Sequence, residues 1–357
     1  MLNLNSDAIK KFILPNAISL VILDGVYLPD LSSKSQNILD CFANSARNDD
    51  AMEIGQVVAR QHNLQIPANF KPALPIQLLF LYTKDCKYHL DIKLGQNSSC
   101  VIIEEHISIN TLNCHGAKSA SRNDENKHAS SVHHSEARQI ESVGIATEAT
   151  INITAANNST ITYYKIQNQS DLSNYQTRTV INQHKNSQVN YGFMGKGVSK
   201  SCDIVQIHML EERASFDALG AMILDKSQML NYKMNIEHLA PNCSSNVLFK
   251  GVITDQAVGD FACRVLVHPS AYKTQTHVTN KNLLLSPSAA MNTEPSMEIY
   301  TDDVNCTHGA TVGQLDQEAL LYLRCRGIAY TQAVELLTKA FTQEIVEKFT
   351  QYLQPKH

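Results

Sequence analysis

Leu230-Asn-Tyr-Lys-Met-Asn-Ile236 is the stretch that decides the fold. Its large apolar residues, Leu230, Tyr232, Met234 and Ile236, fall on every second position, the period of a strand with one buried face. Thr160-Ile-Thr-Tyr-Tyr-Lys-Ile166 alternates in the same manner. Short β-favouring runs recur outward from these two, among them Gln77–Thr83, His89–Leu94, Cys100–Ile109, Asp203–Leu210, Ser245–Ile253 and Phe261–Val267. Asn, Gly, Ser and Asp separate them, as turn residues do. Between residues 140 and 310 no amphipathic helix of ordinary length intervenes, which disfavours a doubly wound βαβ fold. A sandwich, a barrel or a β-solenoid remains, and no clean sequence period chooses among them.

Composition narrows the function. The chain has 357 residues, 43% of them apolar, with a net charge of −4. That is ample for a core and offers no large basic surface to nucleic acid or anionic lipid. Aromatic residues make up 6% and tryptophan is absent, which weakens any reading as a sugar cleft or single-strand-binding cleft. The nine cysteines form no CxxC pair. They read as reduced, mostly buried thiols of a cytoplasmic protein. No secretory leader is apparent, and the longest apolar run, around Ile76 to Tyr82, is far shorter than a bilayer span.

Three regions follow. Residues 1–75 read as a mixed helical region, with a strand at Ser19 to Leu23 entering a turn at Asp24-Gly25 and a helix over Asp50 to His62. Residues 76–312 form the β core. Within it, 118–142 is nearly devoid of large apolar side chains and reads as a polar loop. Its His128, His133 and His134 read as solvated histidines, because no carboxylate or cysteine is placed to complete a metal site. Residues 313–357 carry two helices. The first holds Leu320 and Leu323 and ends at Arg326-Gly327. The second is capped by Thr331 and runs to about Leu353, with Val334, Leu337, Phe341, Ile345, Phe349 and Tyr352 on one stripe.

The common phosphate and hydrolase motifs are missing. Gly192-Phe-Met-Gly195-Lys-Gly197 matches neither a P-loop nor a dinucleotide fingerprint and reads as a turn between strands. The chemically dense segment is Asp302-Asp-Val-Asn-Cys-Thr-His-Gly-Ala-Thr-Val-Gly313. In an extended chain Cys306 and His308 leave the same face, while Thr307 leaves the other. A thiolate beside an imidazole suits iron, zinc or copper(I). Two ligands do not close a site, so the rest must come from elsewhere in the chain or from another subunit. Composition alone favours a structural role for the pair.

This segment, followed by Leu321-Tyr-Leu-Arg-Cys-Arg-Gly-Ile328, resembles the C-terminal signature of the SufB/SufD family of the SUF iron–sulfur assembly machinery, in its SufD wording. The resemblance extends upstream through Thr293-Glu-Pro295, Asn280-Lys-Asn-Leu-Leu-Leu-Ser286, Phe249-Lys-Gly-Val-Ile253 and His238 with Ser244 and Ser245. Looser echoes reach Val21 to Tyr27. It departs near the start, where the family's Trp-containing segment has no counterpart, and before Asp203, where Ser201 stands in place of an arginine.

The resemblance implies a mainly β protein: a right-handed parallel β-helix core with small helical N- and C-terminal regions. It implies a scaffold rather than an enzyme, pairing with SufB through the β-helix core, or with itself when SufB is absent. The SufC ABC-type ATPase would dock on the C-terminal helices, through Val334, Leu337, Phe341 and Ile345. His308 and Cys306 fall at the SufB-facing edge, where transient iron or a nascent cluster would be held. Reduced flavin enters only with the assembled complex, and no cofactor is held tightly by this chain alone. Nucleic acid and membrane are not expected partners. The rivals are a β-helix enzyme acting on polysaccharide, which the missing tryptophan disfavours, and a stand-alone metal binder using the loop histidines.

Overall fold

A computed structural model describes residues 18–23, 26–28, 63–72, 75–82, 85–108, 146–168, 173–196 and 199–353. The helix expected over Asp50 to His62 and the polar loop 118–142 lie outside the described residues, as do His128, His133 and His134.

The chain is a parallel β-solenoid. From β2 onward successive strands are dealt alternately to two sheets. The first sheet takes β1 (Ile18–Leu23), β2 (Val26–Leu28), β4 (Ile76–Tyr82), β6 (Ser99–Ser108), β8 (Thr160–Asn168), β10 (Gln188–Lys196), β12 (Ser215–Leu224), β14 (Ser244–Ile253), β16 (Thr274–Leu284) and β18 (Val304–Gln314). The second takes β3 (Asn63–Ile66), β5 (Cys86–Leu94), β7 (Ala146–Ala155), β9 (Asn174–Gln183), β11 (Lys200–Met209), β13 (Met229–His238), β15 (Val258–Val267) and β17 (Ala290–Ile299). The described strand pairings are parallel except that of β1 with β2, which is antiparallel and sets Leu23 opposite Val26; Asp24 and Gly25 lie outside the described residues. Helices α1 (Gln317–Cys325) and α2 (Tyr330–Leu353) follow the last strand.

The corners show why the sheets stack. Asn69, Asn97, Asn158 and Asn186 each turn the chain with φ near +60°, a conformation that asparagine tolerates better than most residues. Asn97, Asn158 and Asn186 each donate a side-chain amide to the asparagine one coil earlier, at 2.9–3.0 Å, so the four form a ladder up one edge. The steps are 28, 61 and 28 residues. The middle step therefore exceeds a coil by 33 residues, which accommodates most of the chain between β6 and β7.

Alternation fills the space between the sheets. Phe193, Tyr232, Phe249 and Phe261 are fully buried there, with ring centroids 4.5–4.8 Å apart along the series. Such pairs each contribute about 0.5–1.5 kcal/mol beyond area burial. Four of the chain's few aromatic residues thus fill its core.

Three expectations are corrected. The Gly192 segment is no turn: Gly192 to Lys196 belongs to strand β10, and Tyr191, Gly192 and Phe193 are buried consecutively because both faces of the sheet are covered. A Cβ on Gly192 would come within 2.1 Å of the Tyr164 ring and 2.8 Å of Phe349, so the glycine leaves room for a helix to sit on the sheet. The first 75 residues are also not a separate region up to their end, because β1 pairs with β4 and β3 with β5, which starts the sheets upstream of residue 76. Helix α2 begins at Tyr330, which puts Thr331 inside its first turn rather than at its cap. Helix α1 is capped by Asp316, whose carboxylate accepts from the Glu318 and Ala319 amides.

Candidate functional site

Among the described residues, strand β18 is the last of its sheet, hydrogen-bonded to β16 alone, and β17 is likewise bonded to β15 alone. The final coil therefore presents two unpaired strand edges. Along β18 the burial pattern collapses: only Val304 and Cys306 are half-buried, and every other residue through Gln314 is exposed. Its inward row is Cys306, His308, Ala310 and Val312, stacked in register on Thr276, Val278, Asn280 and Asn282 of β16. Cys306 and His308 do leave one face, as their spacing requires, and Thr307 leaves the other, where His277 Nδ1 lies 2.7 Å from its hydroxyl. Gly309 has no atom within 4 Å of where a Cβ would stand, so this part of the edge is open to a second backbone.

Cys306 packs against the end of the core, and burial pushes its thiol up from the ordinary value. At neutral pH such a thiol keeps its proton until a cation displaces it. Among the described residues no group of three or more His, Cys, Asp or Glu side chains is arranged to hold a metal ion. What the described residues bring together at this edge is a half-buried thiol and an exposed imidazole on one face.

A row of polar side chains lies behind the pair, which spacing along the sequence does not reveal. Thr276, the register neighbour of Cys306, is fully buried and lies 2.7 Å from the Ser245 hydroxyl. Ser245 in turn lies 2.9 Å from His238 Nε2. His238 is fully buried, and desolvation lowers its pKa to about 4.

The C-terminal stripe divides. Ile345 and Phe349 are buried on the outer face of the first sheet with Ile103, Tyr164 and Ala221, and the Phe349 ring packs tilted against Tyr164 with centroids 4.5 Å apart. The docking role expected for Ile345 is therefore left without an accessible side chain, because the chain's own sheet takes it. Val334, Leu337 and Phe341 are half-buried. Lys250 holds Phe341 to the sheet, donating to its carbonyl at 2.8 Å and lying 5.2 Å from its ring centre. The exposed apolar side chains of this region are Leu321, Tyr322, Tyr330 and Leu336, on α1 and the first turns of α2. Of these, Leu321 and Leu336 escaped the helical-stripe reading because they lie on the opposite side from the residues spaced three and four apart, whereas Tyr330 shares a face with Val334 and Leu337 and was missed because the helix was read as starting after it. No helix among the described residues is long and apolar enough to cross a membrane.

Comparison with known proteins places the chain in context. Residues 120–341 match the family described as SUF system FeS cluster assembly, SufBD core domain. An iron–sulfur cluster assembly SufBD family protein of Synechocystis is 28% identical over 97% of this chain and 78% of its own length. The iron–sulfur cluster assembly protein SufD of Escherichia coli is 25% identical over 93% of this chain and 75% of its own. A SufBD family protein of Mycobacterium leprae reaches 36% identity over 37% of the chain and 36% of its own length.

Proposed function

The chain belongs to the SufBD family of SUF-system iron–sulfur cluster assembly proteins, and from that premise we propose that it is a non-enzymatic scaffold subunit. It pairs with a SufB-type subunit through the open edge of its last coil and docks a SufC-type ATPase on its C-terminal helices. Iron or a nascent cluster is the cargo, held between subunits by His308 and Cys306 together with ligands of the partner. ATP is hydrolysed on the ATPase, and the assembly works in the cytoplasm. Reduced flavin belongs to the assembled complex, and no residue of this chain is assigned to it.

The observation that carries this reading is the exposed β18 edge bearing a thiol and an imidazole on one face. A soluble solenoid ordinarily caps or covers such an edge, since unpaired N–H and C=O groups template strand addition. An edge left open beside two soft ligands fits a surface completed by a partner, with a coordination shell loose enough to release its cargo. The exposed Leu321, Tyr322, Tyr330 and Leu336 supply the apolar anchors for the ATPase, alongside the half-buried Val334, Leu337 and Phe341.

Co-expression with SufB-type and SufC-type partners tests the proposal. The three chains are expected to co-purify, and His308→Ala is expected to leave the complex intact while abolishing cluster formation. Full cluster yield from that variant would remove the edge from the chemistry, and failure to purify with any ATPase would undo the scaffold assignment.

A further inference from the structure

We propose that Thr276 is a positioning residue for Cys306, its hydroxyl oriented by the buried series His238–Ser245 so that it donates a hydrogen bond to the Cys306 sulfur when that sulfur is a ligand. The inference rests on the cargo-binding reading of Cys306 given above.

The argument is an accounting of protons. His238 Nε2 lies 2.9 Å from Ser245 Oγ, while His238 Nδ1 is buried with no partner among the described residues. A neutral imidazole carries one N–H, and leaving that donor unpaired costs more than leaving a bare lone pair. The proton therefore sits on Nε2 and is donated to Ser245. Burial keeps this ring neutral near pH 7. Either hydroxyl of Ser245 and Thr276, 2.7 Å apart, can donate to the other; with the Ser245 oxygen already accepting from His238, the proposed series has Ser245 donate to Thr276 Oγ1. Thr276 then has a hydroxyl hydrogen to place. It lies in the same inward row as Cys306, one strand below and in direct register. A thiolate sulfur there is the acceptor the series lacks until cargo binds. Hydrogen bonds of this kind to ligating groups set their orientation and electron donation.

Two measurements test it, one without metal. Nitrogen-15 correlation spectra of the free chain are expected to show His238 as the Nε2–H tautomer. Finding Nδ1–H reverses the series and overturns the proposal. The second uses cobalt(II) alone as probe, bound to the chain in complex with its SufB-type partner. Thr276→Val is isosteric and is expected to move the sulfur-to-cobalt charge-transfer band to longer wavelength, because an unbonded thiolate donates its electrons more readily. Thr276→Ser is expected to restore the band. An unmoved band in Thr276→Val, with the band lost in Cys306→Ser, overturns the positioning role and leaves the cargo site standing. A band that survives Cys306→Ser overturns both.

Discussion

At the scale of single residues, the solenoid interior holds charge as well as aromatic rings. Lys165 and Asp203 are 1% exposed, with Nζ and Oδ1 2.5 Å apart. Thr177 bonds to both, and Ser201 donates to the second carboxylate oxygen at 2.7 Å. Glu104 and His106 are paired beside them, with the Tyr175 hydroxyl 2.9 Å from the imidazole. Two ions removed from water are stable together and costly apart. Lys165→Met, which strands the aspartate, is therefore expected to lose about 3–5 kcal/mol. The double variant Lys165→Met/Asp203→Leu is expected to regain most of it. Urea denaturation of the two variants measures both, and a single-variant loss below about 1 kcal/mol would show that the pair adds nothing beyond a surface ion pair. Ser201, where an arginine was expected by resemblance, is accounted for here: a short hydroxyl leaves room for Lys165 to reach Asp203 from the facing sheet.

At the scale of elements, helix α2 has two roles along one length. Its later turns are seated on the sheet by Ile345, Phe349 and Lys250, and Gly192 makes the seat. Gly192→Val is expected to lift these turns, since the new side chain occupies the place of the Tyr164 and Phe349 rings. Faster hydrogen exchange of amides 341–349 would report this, and unchanged protection would mean the helix is held from elsewhere. Leu336→Asp changes only an exposed side chain, 48% accessible. Its effect on stability is expected within about 0.5 kcal/mol, while binding of the ATPase falls in a pull-down. A variant that binds normally would take Leu336 out of the docking surface. The strands themselves were legible, because alternation such as that of Leu230 to Ile236 needs only one buried face. The coil period was not. The added residues between Asn97 and Asn158 break it, and at later corners Arg213 and Lys273 adopt the left-handed conformation without the asparagine that marks it earlier. The Gly192 strand was misread for a related reason: under a helix both faces are buried, so alternation disappears. Burial of Ile345 could not be read from a helical stripe, which gives the apolar side of a helix but not its occupant.

At the scale of the whole molecule, buried titratable groups tie stability to pH, and their signs differ. Glu105 and Asp217 are raised by burial, so they favour the folded state on acidification and lose that contribution as pH rises through their folded values. The histidines act oppositely. Desolvation lowers His106 against the pull of Glu104, and lowers His238 to about 4. An unfolded histidine binds its proton near pH 6.5, whereas folded His238 refuses it until about pH 4. Between those limits the unfolded chain holds more protons, so the stability owed to neutral His238 is lost as pH falls through that window. The opposed carboxylates make the total curve ambiguous, and a difference isolates the ring. His238→Gln keeps an amide to meet Ser245 and cannot titrate. It is expected to be less stable than the parent at pH 7, and the gap is expected to narrow on acidification to pH 4, by as much as about 3 kcal/mol at 1.36 kcal/mol per pH unit. Paired urea titrations at pH 7, 5.5 and 4 measure that gap. A gap constant across the three would mean that folded His238 takes up its proton just as the unfolded chain does, and the acid sensitivity assigned to it could not then stand.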